Sequence, residues 1–245
     1  MTLPHVSVIL PSYNEVSNVV PLIRELKRHL PVPHELLVID DNSPDQTGPV
    51  TRKAFAGDPS VQVHVRMVDR GLATAIRDGI RRSTGDKVLV MVTDFNHDPA
   101  IVGRLVELGA GADMVIGSRF CPGGGMANRW RYACSRFYSR LVQRILQTGV
   151  RDNLCGYYLI RRDVLMALPF EEIFYGYGDY FFRLVWHVRR AGYSIVETPV
   201  VYQARPSGRS KSNLMAMLFG YTREVLKLRM KAGRARDHAM WSKGR

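Results

Sequence analysis

The 245-residue chain is expected to form an α/β domain with a mostly parallel sheet and flanking helices. Two observations predict this. Short β-rich runs alternate with amphipathic stretches through the first 108 residues, the pattern that parallel strands joined by crossover helices require. Three of those runs also stop abruptly in polar clusters, as buried strands do when their carboxyl ends line a binding crevice.

In chain order, HVSVILPSY leads into an amphipathic stretch from Glu15 to Leu30, and HELLVID into one from Gln46 to Ala56. VQVHVRMV precedes Leu72 to Ser83, and KVLVMVTDF precedes Ala100 to Leu108. After DMVIGSRF the pattern changes. A glycine loop, PGGG, leads to a basic helical stretch from about Arg129 to Leu146. Then come GYYLIRRDVL and GYGDYFFRLVWHVRRAGYSIVE, the latter reading as helix then strand. An amphipathic stretch from Leu214 to Lys231 follows ARPSGRSKSN, and the polar, charged residues beyond Ala232 have the composition of a disordered tail.

Composition narrows the function. At 46% hydrophobic the chain can bury a full core. Three cysteines without a C-x-x-C spacing argue against a disulfide framework, zinc or redox chemistry, and fit a reducing cytosol. The N-terminus lacks a basic n-region, and no apolar run approaches the roughly 20 residues of a membrane helix. The net charge of +13 is local: Arg119 to Arg151 holds seven Arg and no acid, Arg223 to Arg245 carries +6, and the rest is neutral. Two basic regions imply an anionic partner, with a merely solvated basic surface as the plain alternative.

The strand ends carry the candidate chemistry. They read Pro11-Ser12-Tyr13-Asn14-Glu15, Asp40-Asp41-Asn42-Ser43-Pro44-Asp45 and Thr93-Asp94-Phe95-Asn96. Asp94 and Asn96 can offer two hard oxygens to Mg²⁺ or Mn²⁺, or they can simply cap the next helix, for which Asp98-Pro99 is the better candidate. Asp40 and Asp41 suit either a turn or the N–H groups and hydroxyls of a nucleoside. His97 fits a local hydrogen bond better than metal ligation. CPGGGM lacks the P-loop pattern and reads as a flexible loop or a plain turn. In RPSGRSK, Arg205, Arg209 and Lys211 surround Gly208 and Ser210, a set of donors suited to a diphosphate.

Six segments in order, PSYNE, VIDDNSPDQT, RGLATA, TDFNHDP, GSRF and RPSGRSK, make the chain from Val6 to about Arg229 resemble dolichol-phosphate mannosyltransferase and its polyprenyl-phosphate relatives. These are inverting nucleotide-sugar glycosyltransferases of the GT-A fold. The resemblance implies a nucleotide-sugar donor held by Pro11, Tyr13, Glu15, Asp40, Asp41, Arg70, Thr93 and Arg205. It implies a metal, Mg²⁺ or Mn²⁺, on Asp94 and Asn96. Arg119, Arg205 and Lys211 would neutralise phosphate charge, and Arg129, Arg131, Ser135 and Ser210 would receive the phosphate of a polyprenyl acceptor. Asp94, Arg119, Asp179 and Lys211 are the catalytic candidates. Where the family has Asp-x-Asp, the first position here is Val92, which bears on metal affinity and on turnover itself.

The implied reaction is transfer of a hexose, mannose from GDP-mannose, to polyprenyl phosphate at the cytoplasmic face of a membrane. UDP-glucose is the rival donor. Transfer to a sugar hydroxyl with Asp179 as base is a rival reaction; with a phosphate acceptor Asp179 would instead orient the sugar or an Arg, and capping the following helix is its plain structural alternative. A non-catalytic nucleotide-binding partner of a membrane protein is the rival from another class. No nucleic-acid motif accompanies the basic charge, so nucleic acid is not an expected partner. Residues 1–212 are expected to form the catalytic domain, 213–231 a basic amphipathic helix that either lies on the membrane surface or packs on the core with its charges solvated, and 232–245 a polar tail. A separate membrane-embedded subunit is an additional expected type of partner.

Overall fold

The computed structural model describes residues 5–203 and 218–231; Arg205, Arg209, Ser210, Lys211 and the tail from Ala232 onward lie outside the described residues. The first half alternates as expected. Strands β1 (Val6–Ser12), β2 (His34–Asp40) and β3 (Val61–Val65) are followed by helices α1 (Val19–His29), α2 (Thr47–Ala54) and α3 (Leu72–Arg82). Strand β4 (Lys87–Val90) leads through a 3₁₀ turn, Pro99–Ile101, to α4 (Val102–Leu108) and then β5 (Met114–Ser118). Asp98 caps that turn by accepting from Ala100 N at 2.9 Å with Pro99 behind it, as its sequence predicts.

The helices are held by their periodic apolar faces. In α1, Val19, Leu22, Ile23 and Leu26 are buried one turn apart while Lys27, Arg28 and His29 occupy its last turn, where the helix dipole favours cations. α3 lies close against β1 and β2 because Gly79 has no side chain: a Cβ there would sit 2.5 Å from Ile9 Cγ2.

The second half adds β6 (Gly125–Met126), α5 (Arg129–Leu146), β7 (Tyr158–Arg161), α6 (Arg162–Ala167), α7 (Phe170–Ile173), α8 (Tyr180–Arg190), β8 (Ile195–Pro199), β9 (Val201–Tyr202) and a helix α9 over 218–231. The seven-stranded sheet runs in the order β3, β2, β1, β4, β7, β5, β8. All neighbours are parallel except β7, which is antiparallel to both β4 and β5. Tyr158, Leu159 and Ile160 are all buried, so the apolar run of β7 fits the sheet in either direction, and the path of the chain returning from α5 decides which.

The glycine stretch is not an open loop. Gly124 N donates to Cys121 O at 2.9 Å, and Gly125–Met126 pairs in parallel with Val201–Tyr202. α8 is apolar on two faces because it separates two cores. Tyr180, Phe181, Leu184, Val185 and Val188 join the main core beneath the sheet, while Phe182 and Trp186 pack with Tyr138, Val142 and Leu146 of α5 and Tyr221, Val225 and Leu228 of α9. Among the described residues no helix is long and apolar enough to cross a membrane.

Candidate active site

Strand register assembles the three polar strand ends. Ser12 lies opposite Asp40, and Ile9 opposite Val90, so the segment leaving β4 runs on beside the end of β1. Thr93 Oγ1 still reaches Pro11 O at 3.3 Å, and Asp41 N donates to Ser12 O at 3.1 Å. The loop after β1 is tied to the loop after β2 by three amides: Asn14 N to Ser43 Oγ (3.0 Å), Glu15 N to Thr47 Oγ1 (3.0 Å) and Val16 N to Asp45 Oδ2 (3.1 Å). Pro11, Tyr13, Glu15, Asp40, Asp41, Thr93, Asp94 and Asn96 thus share one carboxyl edge of the sheet. Arg70 joins them, its guanidinium carbon 5.2 Å from the centroid of the half-exposed Tyr13 ring.

Backbone strain gathers at the same edge. Among the described residues, six non-glycine positions have positive φ, and five of them, Asn14, Asn42, Gln46, Asp69 and Phe95, follow the ends of β1 to β4. Left-handed non-glycine residues persist where surrounding contacts over-determine them, which is typical of functional loops.

The two aspartates after β2 differ in their partners. Asp40, buried, accepts from Ser43 N at 3.2 Å and from the Ser43 hydroxyl. Asp41 accepts from Arg66 Nε at 2.8 Å and from Gly71 N at 2.7 Å. Gly71 opens α3 at φ 141°, a conformation that side chains rarely tolerate, so Asp41 fixes the start of the RGLATA helix. Arg66 was not among the expected residues, although it directly follows β3 and the level of the other strand ends marks its place.

Asp94 is buried and held in a tight Asx turn. Its Oδ1 accepts from Asn96 N at 3.0 Å and its Oδ2 from Asn96 Nδ2 at 2.8 Å, with Phe95 left-handed between them. Neither residue caps the following helix, which Asp98 serves. A carboxylate and an amide oxygen are hard donors that suit Mg²⁺ or Mn²⁺ with most of the coordination shell left to other oxygens. Among the described residues no cluster of three or more His, Cys, Asp or Glu stands ready for a metal.

Behind this turn, His97 fixes the loop. It is 1% exposed and stacked on Tyr157 at 4.6 Å; its Nδ1 accepts from Val92 N at 3.2 Å, so its Nε2 carries the proton and donates to Tyr202 Oη at 2.6 Å. Tyr202 in turn donates to Cys155 O at 2.6 Å. Both ring nitrogens are spoken for, in keeping with the local role read from the sequence. Burial, with Arg119 adding in the same direction, pushes the imidazole down to about 3 from its ordinary 6.5. The unfolded chain takes up a proton near 6.5 and the folded chain refuses it until about 3. Stability is therefore full above pH 6.5 and lost as pH falls through that window, by up to about 1.4 kcal/mol per pH unit. His187, pushed down to about 4 chiefly by burial, acts in the same sense. Melting followed from pH ~7.5 to ~4.5 should show a shallower acid decline for His97→Gln than for wild type; equal slopes would remove His97 from the linkage.

Arg119 lies behind the crevice. Expected to face phosphate, it is 4% exposed and forked onto Asp152, with Nε to Oδ2 and Nη2 to Oδ1 both at 2.8 Å and its backbone N to Oδ2 at 3.0 Å. Burial opposes its charge, but Asp152 overrides that and holds the guanidinium protonated. Its face lies 4.6 Å from the Tyr202 ring and 4.9 Å from that of Phe120. Arg119 is thus packed behind the 92–98 loop with its guanidinium engaged by Asp152.

Asp179 is engaged by an arginine rather than by the helix end. It precedes α8 yet makes no cap hydrogen bond; Oδ1 accepts from Tyr177 N at 2.8 Å and Oδ2 pairs with Arg183. Arg183, 1% exposed, also donates from Nε to Ile173 O at 3.0 Å and lies 3.7 Å from the Tyr175 ring centroid.

The acceptor candidates sit in the first two turns of α5, where Asn128 Oδ1 caps Arg131 N at 2.9 Å. Arg131 and Ser135, four residues apart, share a face; Arg129 does not, since residues two apart on a helix diverge. Arg205, Ser210 and Lys211 lie outside the described residues.

Sequence comparison matches residues 7–168 to the family model for Glycosyl transferase family 2. Polyprenol monophosphomannose synthase of Mycolicibacterium smegmatis is 35% identical over 86% of this chain and 83% of its own length. Undecaprenyl-phosphate mannosyltransferase of Micrococcus luteus is 37% identical over 83% of this chain and 85% of its own. Dolichol-phosphate mannosyltransferase of Pyrococcus furiosus is 30% identical over 91% of this chain, which spans 63% of that longer protein. In fold, the chain is similar to glucosyl-3-phosphoglycerate synthase from Mycobacterium tuberculosis, solved with Mn²⁺, uridine diphosphate and phosphoglyceric acid, at a TM-score of 0.72 and 21% identity over 92% of this chain and 78% of that one.

Proposed function

The chain belongs to glycosyl transferase family 2, and on that premise we propose that it transfers mannose from GDP-mannose, with inversion, to a polyprenyl phosphate at the cytoplasmic face of a membrane. The mannosyl group and the polyprenyl-phosphate acceptor follow the names of the three mannosyltransferase relatives, and GDP as the carrier of the mannose follows the family resemblance of the sequence motifs. Residues 1–212 are assigned as the catalytic unit, and 213–231, of which the helix 218–231 is described, as its basic C-terminal segment.

The observation that favours a phosphate acceptor over a sugar hydroxyl is the engagement of Asp179. A hydroxyl acceptor needs a carboxylate to take its proton, and both oxygens of Asp179 are tied to Arg183 and Tyr177 N. A phosphate monoester needs no such base. Its second pKa is near ~6, so it meets the sugar already doubly charged at neutral pH. In the proposed step a phosphate oxygen forms a bond to the anomeric carbon, and the electron pair of the breaking bond leaves with the nucleoside diphosphate.

The chain's own groups then have defined tasks. Tyr13, with Arg70 against it, Pro11 and the Asp40 and Asp41 loops bound the nucleoside side of the crevice. Glu15, whose carboxylate accepts from Asn18 Nδ2 at 2.7 Å, and Thr93 hold the crevice wall. Asp94 and Asn96 are assigned to hold Mg²⁺ or Mn²⁺, which when bound offsets charge on a departing diphosphate. Arg205 and Lys211 are assigned to phosphate charge, and Arg131 with Ser135, helped by Ser210, to the acceptor phosphate.

Turnover of labelled GDP-mannose and UDP-glucose in parallel, with a short polyprenyl phosphate and with or without Mg²⁺ or Mn²⁺, tests this reading. Metal-dependent label in the lipid from GDP-mannose supports it, label only from UDP-glucose replaces the donor, and binding without turnover favours a non-catalytic partner. Asp179→Asn separates the acceptors. A loss of less than about tenfold is expected for a phosphate acceptor, whereas removing a general base costs roughly 10²–10⁴-fold.

A further inference from the structure

We infer that α9 completes the nucleoside side of the crevice, with Glu224 as a positioning residue that acts through the turn between α7 and α8. Topology sets this turn, residues 174–179, at the crevice. β8 is parallel to β5, so α8 runs back toward the start of β8 and its first residues lie at the carboxyl edge of the sheet. Gly176 O accordingly lies 3.9 Å from where a Cβ of Gly71 would stand, and Gly71 N donates to Asp41. A second tie lies just before the turn. Glu171 of α7 accepts from Arg77 Nη1 at 2.7 Å, and Arg77 also pairs with Asp69, the left-handed residue beside Arg70.

Arg183 shapes the turn. Its Nε donates to Ile173 O at 3.0 Å, its Nη2 to Tyr175 O, and its Nη1 pairs with Asp179, so the whole 173–179 stretch converges on one buried side chain. A second carboxylate arrives from α9. Glu224 Oε2 lies 3.6 Å from Arg183 Nη1 and accepts from Tyr175 Oη at 2.6 Å, while the Tyr175 ring covers the guanidinium. The Glu224 side chain is 13% exposed, so water screens its pull on Arg183 only weakly. α9 meets the same region at two further points: the Tyr221 hydroxyl lies against Gly178, and Lys231 pairs with Glu172 of α7.

Docking of α9 does not by itself call for this arrangement. Val225 and Leu228 already bury the helix against α5 and α8, whereas taking a carboxylate out of water costs free energy that apolar packing does not. What Glu224 adds is a fixed shape for the turn, passed on through Gly176 and Glu171 to the residues that hold Gly71 and flank Arg70. The effect is reciprocal, since a nucleotide that binds better when α9 is docked must itself favour the docked helix. In this respect the inference rests on the nucleotide reading of the Asp41 and Arg70 side of the crevice.

The test compares Glu224→Gln with Lys227→Gln in the full chain. Lys227 meets Glu224 Oε1 at 2.5 Å from a half-exposed position, so its loss perturbs α9 without removing the carboxylate from Arg183. Amide hydrogen exchange of the ligand-free protein should speed up at least about fivefold over 66–79 and 170–179 in Glu224→Gln, and stay within about twofold of wild type in Lys227→Gln. Calorimetric titration with GDP and Mn²⁺ should give a Kd raised roughly tenfold by Glu224→Gln and within about twofold of wild type for Lys227→Gln. Tyr175→Phe, which loses one hydrogen bond and keeps its ring on Arg183, should weaken GDP in the same direction and serves if Glu224→Gln does not fold. GDP should also slow exchange over 218–231 in wild type. Faster exchange confined to α9, an unchanged GDP Kd in the folded variants, or an α9 indifferent to GDP would overturn the inference and leave Glu224 a packing role. A wild type that binds neither GDP nor UDP sinks the nucleotide reading instead, and the ligand-free exchange still decides whether α9 holds the turn.

Discussion

Asp94→Asn is expected to lower turnover by roughly 10²–10³-fold or more while leaving the fold intact, the scale seen when a group that stabilises developing charge is removed. The substitution keeps the side chain's shape. An asparagine oxygen at position 94 can still accept from Asn96 N, the 3.0 Å bond that closes the Asx turn. What goes is the negative charge, and with Val92 at the first position of the family's Asp-x-Asp pattern there is no carboxylate two residues before it to replace it. Two measurements check the result. Initial rates with saturating donor and acceptor should fall, and the gain in melting temperature caused by Mn²⁺ together with GDP should shrink. A variant that keeps its rate within about tenfold and its full metal-dependent shift would remove Asp94 from the charge-stabilising role.

Asp152→Ala is expected to be the most destabilising single change at the site, costing about 3–5 kcal/mol. It would strand the Arg119 guanidinium, 4% exposed, with Nε, Nη2 and the backbone N all deprived of an acceptor. For a chain of this size that corresponds to a fall in melting temperature of roughly 10 °C or more. Turnover should fall as well, because Arg119 packs on Tyr202, and Tyr202 holds the His97 that anchors Val92 two residues before Asp94. The paired replacement Arg119→Met with Asp152→Leu should recover much of the stability, since a buried ion pair exchanged for apolar groups is often neutral. A cost below about 1 kcal/mol for Asp152→Ala would mean that water reaches the guanidinium and that the pair is not the anchor described.

Much of the site was legible because its signal is local. An apolar run that ends in PSYNE, DDNSPD or TDFN places polar groups at a strand's carboxyl end, and a parallel sheet brings such ends level. The periodicity of α1, α3 and α5 likewise needs only a helical repeat, and the ends of α5 fall at Arg129 and Leu146 as expected. Partners distant in sequence were not legible. The resemblance carried by GSRF made Arg119 look like a phosphate ligand, and only the fold sets Asp152 against it from 33 residues away. For Asp179, whose place in the sequence suits a base, a cap or a partner for an Arg, it is α8 that supplies Arg183 as that partner. The direction of β7 and the tautomer of His97 were settled by contacts with β4, β5 and Tyr202. Sequence by itself determined the α/β class, the strand-end motifs and the basic segments, because these depend on patterns within one element. The tertiary structure decided which charges are spent inside the protein and which row of α5 is buried, because pairing and burial depend on neighbours that the chain supplies from far away.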